Sequence, residues 1–101
     1  MRYFLLDRAC ELLRETGLVR GRSDFCTAWL GQSDCYMRTI NCKKAEPSLG
    51  VLAICASRLQ RAGGQMVSTP RFRAIGARFL ALSAKCHEAV NEGGVELVLD
   101  G

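Results

Sequence analysis

The sequence predicts an all-α fold: a four-helix body and a long fifth helix in a single domain. Three observations carry this. Apolar residues recur three and four apart along most of the chain, the period of a helix face. Glycines, and Ser or Thr beside Pro, fall where such runs would stop and restart. The 101 residues, 49% hydrophobic and 24% charged, can bury one small core and lack the composition of a disordered segment.

Taken in order, residues 3–16 read as the first helix. Leu5, Leu6, Ala9, Cys10, Leu12 and Leu13 make its inner face, and Gly17 ends it in a left-handed conformation. Leu18 and Val19 then turn back to the core. Ser23 is placed to cap a second helix, 24–30, in which Phe25 and Trp29 share a face and Gly31 is the stop. Ser33 is placed to cap a third, 34–41, anchored by Met37 and Ile40. Pro47-Ser48 opens the fourth, 48–61, with Leu49, Leu52, Ala53, Ala56 and Leu59 as its inner stripe and Gly63-Gly64 as its end. Thr69-Pro70 starts the fifth, 70–91, about 33 Å long at 1.5 Å per residue. Gly93-Gly94 should stop it, before a strand-like tail, Val95 to Leu99. The expected organisation is a body over 1–64, with 65–101 packed on it.

Charge is unevenly spread. Residues 1–37 balance to zero, residues 38–87 carry +8, and residues 88–101 hold four acids and no base. A basic middle favours an anionic partner, either nucleic acid or an acidic protein surface; it is equally what a solvated basic face looks like. Apolar runs fall far short of the roughly 18 residues a membrane span needs. Asp7 interrupts the start where a secretory signal would stay apolar, so a cytoplasmic protein is expected. The six cysteines sit among apolar positions without a Cys-x-x-Cys pair, and His87 is the one histidine, so neither metal nor cofactor is expected. Cys86 and His87 are neighbours on a helix and point about 100° apart, which does not make a nucleophile and its base. With no phosphate loop or paired-carboxylate motif, the sequence reads as a binding protein rather than an enzyme.

One stretch narrows the binding class. Leu30-Gly31-Gln32-Ser33 is followed by Met37 and Ile40, four and seven past the Ser, and by Pro47-Ser48-Leu49, fourteen past it. This pattern resembles the Cro/CI-type helix-turn-helix domain over about residues 10–60, and the chain is also similar to short uncharacterised bacterial proteins with the same signals. Two positions depart from the family. Lys43 stands where a loop glycine is usual. Thr27 stands where a small residue lets the second and third helices cross, between bulky Phe25 and Trp29. The second departure predicts a second helix rotated or shifted by one residue.

The resemblance implies a transcriptional regulator whose third helix enters the major groove of duplex DNA. Arg38 would read guanine, with Gln32 and Thr39 as lesser contacts. Ser33, Lys43, Lys44 and Arg22 would hold phosphates. Asp34 opposes this reading, since a carboxylate there faces the phosphates. The alternative is a helix-turn-helix-derived module that seizes another regulator and blocks it, as an antiactivator does. For that the fifth helix offers a heptad seam, Phe72, Ile75, Phe79 and Leu82, flanked by Arg71, Arg78 and Lys85. The seam either packs on the chain's own body, meets an acidic partner, or forms a homodimer.

Overall fold

Five helices follow one another: α1 (Arg2–Glu15), α2 (Arg22–Asp24, running on as a π-helical turn over Phe25–Trp29), α3 (Tyr36–Cys42), α4 (Leu49–Val67) and α5 (Arg73–Asp100). A 3-10 turn, Pro70–Phe72, leads into α5. The structure is a computed structural model that describes the backbone of residues 2–100 and the side chains of residues 2–93. The all-α expectation holds, and no strand occurs among the described residues.

The close of α1 is as its sequence demands. Gly17 takes φ +79, Leu18 N donates to Leu13 O at 2.9 Å, and Gly17 N donates to Arg14 O at 3.1 Å. This pair of bonds satisfies carbonyls that the helix end would otherwise leave bare. Val19 is buried as expected, but Leu18 stays 49% exposed.

Both Gly-Gly pairs were expected to stop helices, and neither does. α4 continues past Gly63-Gly64 to Val67 and ends only where Thr69-Pro70 forbids another turn. α5 continues past Gly93-Gly94 to Asp100, so the strand-like tail is helical. The division expected at residue 64 therefore falls inside α4. The reason is packing. A Cβ on Gly63 would lie 2.9 Å from Leu80 Cγ and 3.0 Å from the Gly76 carbonyl; one on Gly76 would lie 2.7 Å from Met66 Cβ. The two helix backbones meet where neither has a side chain, and Gly93 likewise accommodates Leu49. Glycine in mid-helix costs roughly 0.5–1 kcal/mol against alanine, which this close approach offsets.

The α4–α5 contact is the most extensive in the molecule. Moving down α4, its residues meet α5 in reverse order: Met66 with Gly76, Gly63 with Phe79, Ala56 with Ser83, Cys55 with Cys86, Leu49 with Gly93. The pair is thus antiparallel. Ser83 Oγ donates to the Ala56 carbonyl at 2.7 Å, which satisfies a buried hydroxyl. α1 lays Leu6, Ala9, Cys10 and Leu13 on this hairpin, and Phe25, Leu30 and Met37 close the core from the α2–α3 side. The α4 stripe is centred on Leu52, Cys55, Ala56, Leu59 and Gly63, with Leu49 and Ala53 only half-buried at its margin.

Candidate nucleic-acid interface

The corner between α2 and α3 starts with an irregularity. Leu30 N donates to Phe25 O at 3.0 Å, a bond one residue longer than an α-helical one. Gly31 then turns the chain at φ +69, and Gln32 N reaches back to Cys26 O at 2.9 Å. The widened turn keeps Phe25 buried and Trp29 half-buried against the core. It leaves Thr27 facing out and buries Cys26. The small residue on the buried side is Cys26, one position before Thr27. Arg58 of α4 donates to the Ala28 carbonyl at 3.3 Å, a cation at the C-terminal end of this helix.

The Ser caps expected here are not formed. Gly21 precedes α2, and Ser23 lies within the helix. Cys35 precedes α3 without a side-chain cap bond, and the helix starts at Tyr36, whose N–H goes to the Ser33 carbonyl at 3.2 Å. Ser33 instead sets its hydroxyl 3.8 Å from Cys35 Sγ. At Pro47-Ser48 the expected start does form, with Ser48 Oγ accepting from Val51 N at 3.2 Å. Pro47 is buried just outside the cap rather than in the first turn.

α3 is held by Met37 and Ile40, both buried, and exposes Arg38, Thr39, Asn41 and Cys42. It ends with the same pair of bonds as α1: Ala45 N to Ile40 O at 2.9 Å and Lys44 N to Asn41 O at 3.1 Å. The left-handed residue is Lys44, at φ 52, one place after Lys43, the position at which the helix-turn-helix pattern has a glycine. Lys43 and Lys44 are exposed, and Gln32 is half-buried. Glu46, just past the two lysines, accepts from Arg2 N at 3.0 Å. That backbone donor holds its carboxyl below the usual carboxylate range.

The predicted contacts divide. Arg38, Ser33, Thr39, Lys43 and Lys44 lie on α3 or at its ends, with Asp34 exposed among them. Arg22 lines the same cavity as Arg38 and Asn41, and its exposed guanidinium is held 2.8 Å from Asp7 Oδ1 and 3.3 Å from the Tyr3 hydroxyl, which ties α2 to α1.

The residue that sequence reading missed is Cys35. Thr39 Oγ1 donates to its sulfur at 3.7 Å, and Ser33 and Arg38 also bear on it, so the thiol ionises more readily than usual. The legible signal was Ser33 two residues before it and Thr39 four after. A cavity of about 390 Å³ opens beside it, lined by Arg22, Cys26, Asp34, Met37, Arg38 and Asn41.

The α5 seam resolves largely in favour of the chain's own core. Phe79 is fully buried and Leu82 nearly so. Neither is open to a partner, because α4 and α1 already cover that side. Ile75 is half-buried, and Phe72, 43% exposed, lies under the Arg71 guanidinium at 5.6 Å. Arg78 pairs with Glu15 at 3.2 Å, and Lys85 is exposed.

Among the described residues no group of three His, Cys, Asp or Glu side chains could hold a metal, and no helix is long and apolar enough to cross a membrane. A model of a family of unknown function, DUF6626, matches residues 6–98. The chain belongs to that family. No curated protein and no solved structure matches it. The DUF6626 match spans the α2–α3 corner and most of α5 alike, so the family is defined over the whole helical body rather than over the corner alone.

Proposed function

We propose that this protein is a small transcriptional regulator that binds duplex DNA through α3. The observation that carries the reading is the placement of α3. A glycine corner on one side and a buried Pro47 with a Ser48 cap on the other hold a short helix against the core by Met37 and Ile40, with Tyr36 packed beside them. Its outer side and ends present Arg38, Thr39, Lys43 and Lys44, with no ion pair to any of the three cations among the described residues. A helix so exposed fits a major groove, where the Arg38 fork can meet guanine O6 and N7 and the lysines can meet phosphates.

The test is titration of a fluorescent mixed-sequence duplex at rising salt. Affinity should fall steeply with salt, and Lys43→Ala with Lys44→Ala should flatten that slope by about two phosphate contacts. Arg38→Ala should remove sequence preference when a genomic pool is selected and sequenced. No retention of the pool at low salt would sink the proposal.

A second reading, a module that binds and inhibits another transcription regulator, is favoured by one observation. An apolar cleft of about 630 Å³ lies between the end of α1, the end of α4 and the start of α5, with exposed Leu18 and Phe72 on its walls. Phe72→Asp should abolish capture of such a regulator while leaving the fold intact. A Phe72→Asp variant that captures it as well as the wild type rules this reading out.

A further inference from the structure

Where α4 runs past the end of the π-helical turn, a cavity of about 610 Å³ opens between them. That volume is within the roughly 300–1,000 Å³ of small-molecule sites. Trp29 makes one wall, and Ala53, Ile54 and Ala62 of α4 make the other. Ile54 is 42% exposed there. The polar lining is Ser57, Arg58, Arg61 and Gln65, all exposed. Arg58 and Arg61 are the charged groups of the lining, and no acid stands among the residues that form it. Neither arginine forms an ion pair among the described residues. Three residues apart, they are neighbours on one helix face, about 4.5 Å along its axis. Arg58 gives one donor to the Ala28 carbonyl at 3.3 Å. That bond orients its guanidinium and leaves the other N–H donors of the fork for a ligand.

We infer that this cavity binds a small organic carboxylate with an apolar body, an aryl or alkyl acid. Its carboxylate meets Arg58 and Arg61, and its body lies between Trp29 and Ile54. The arginine pair sets the charge of the ligand. Two cations without an acid beside them attract an anion, and a guanidinium fork matches the two oxygens of a carboxylate with parallel bonds. The walls set the rest. An indole and an isoleucine gain from covering apolar surface, which a bare inorganic anion does not have. A carboxylate joined to an aryl ring or an alkyl chain satisfies both halves of the lining at once. Ser57 and Gln65 add hydrogen-bonding groups beside the cations. The site shares no residue with the α3 surface proposed for DNA, so the inference goes beyond that reading and is tested on the free protein.

Trp29 is the only tryptophan of the chain, so its fluorescence reads the site directly. The experiment titrates the full chain with phenylbutyrate and with octanoate, each beside its uncharged amide, and with inorganic phosphate. At least one of the two acids should give a saturable change with a Kd below about 1 mM, in keeping with ligands of about a dozen heavy atoms. The matching amide should bind about tenfold more weakly, having lost the charge that the arginines meet. Phosphate at the same concentrations should leave the signal unchanged. The Arg61 side chain makes no hydrogen bond or ion pair among the described residues, so Arg61→Gln should keep wild-type helicity in circular dichroism. It should weaken the acid about tenfold and leave the amide as it was. Ile54→Asn should weaken both. No saturable response to either acid overturns the proposal. So does an amide or phosphate that binds as tightly as the acid, since the lining would then not select the ligand. An Arg61→Gln variant with unchanged affinity for the acid overturns it too, because the acid would then sit elsewhere.

Discussion

The α4–α5 hairpin and the α2–α3 corner solve the same problem, two helices brought together, by opposite means. The hairpin is long, antiparallel and pressed close at Gly63 and Gly76, with the Ser83–Ala56 hydrogen bond inside it. The corner is short. It contains a π turn, an αL lysine at its exit, and two buried anchors on α3. Glycine serves backbone approach in the first and a change of direction at Gly31 in the second. The hairpin joins two long helices along most of the length of α4, whereas the corner sets one short helix on the core by a few side chains.

The hardest blow to that contrast is Phe79→Ala. It empties the middle of the hairpin and should cost about 3–5 kcal/mol in chemical denaturation, lost cooperatively by all five helices. Alkaline pH comes next. Burial pushes the Cys10 thiol up to about 11 from its ordinary value of 9.0. A folded pKa above the unfolded one contributes stability that is fully present below about pH 9 and is lost as pH rises through about 11. Denaturant midpoints across this window should fall, and should fall less in Cys10→Ala. Gly63→Ala forces α4 and α5 apart and should destabilise by about 1–3 kcal/mol.

Two smaller changes sharpen the comparison in the other direction. Lys44→Gly removes the left-handed strain at the corner and should stabilise by about 1 kcal/mol in thermal melts. Gly64→Ala, one residue from the damaging site, has open space around it and should stabilise by about 0.5–1 kcal/mol. Opposite signs at two adjacent glycines would be hard to obtain unless the hairpin is packed as described.

Much of the fold was readable from residue patterns. Leu6, Leu13, Leu52 and Leu59 announce buried faces by spacing alone, and Gly17 and Ser48 announce an end and a start. The misread glycines share one cause. A Gly-Gly pair looks the same in sequence whether it ends a helix or admits a neighbouring backbone, and only the partner, Gly76 for Gly63, decides. At the corner, the shared face of Phe25 and Trp29 is legible in the sequence, but the π turn that joins them is not. Among the predicted DNA contacts, the pairing of Arg22 was not legible, because Asp7 is fifteen residues away and becomes its neighbour only on folding. Cys35 was passed over because its polarity comes from Ser33, Thr39 and Arg38 gathered around one turn.

The six thiols make the chain its own reporter. Cys42 is exposed and Cys35 half-exposed, whereas Cys26 sits under the corner and Cys55 and Cys86 lie sulfur to sulfur inside the hairpin. Contact with Cys86, together with burial, keeps Cys55 protonated far above its ordinary range, and the buried Trp29 indole N–H makes no hydrogen bond among the described residues. An alkylating reagent followed by mass spectrometry should therefore tag Cys42 and Cys35 within the mixing time. Cys26 should follow at the rate at which the corner opens. Cys55 and Cys86 should be tagged together and last, timing the rarest excursion the molecule makes.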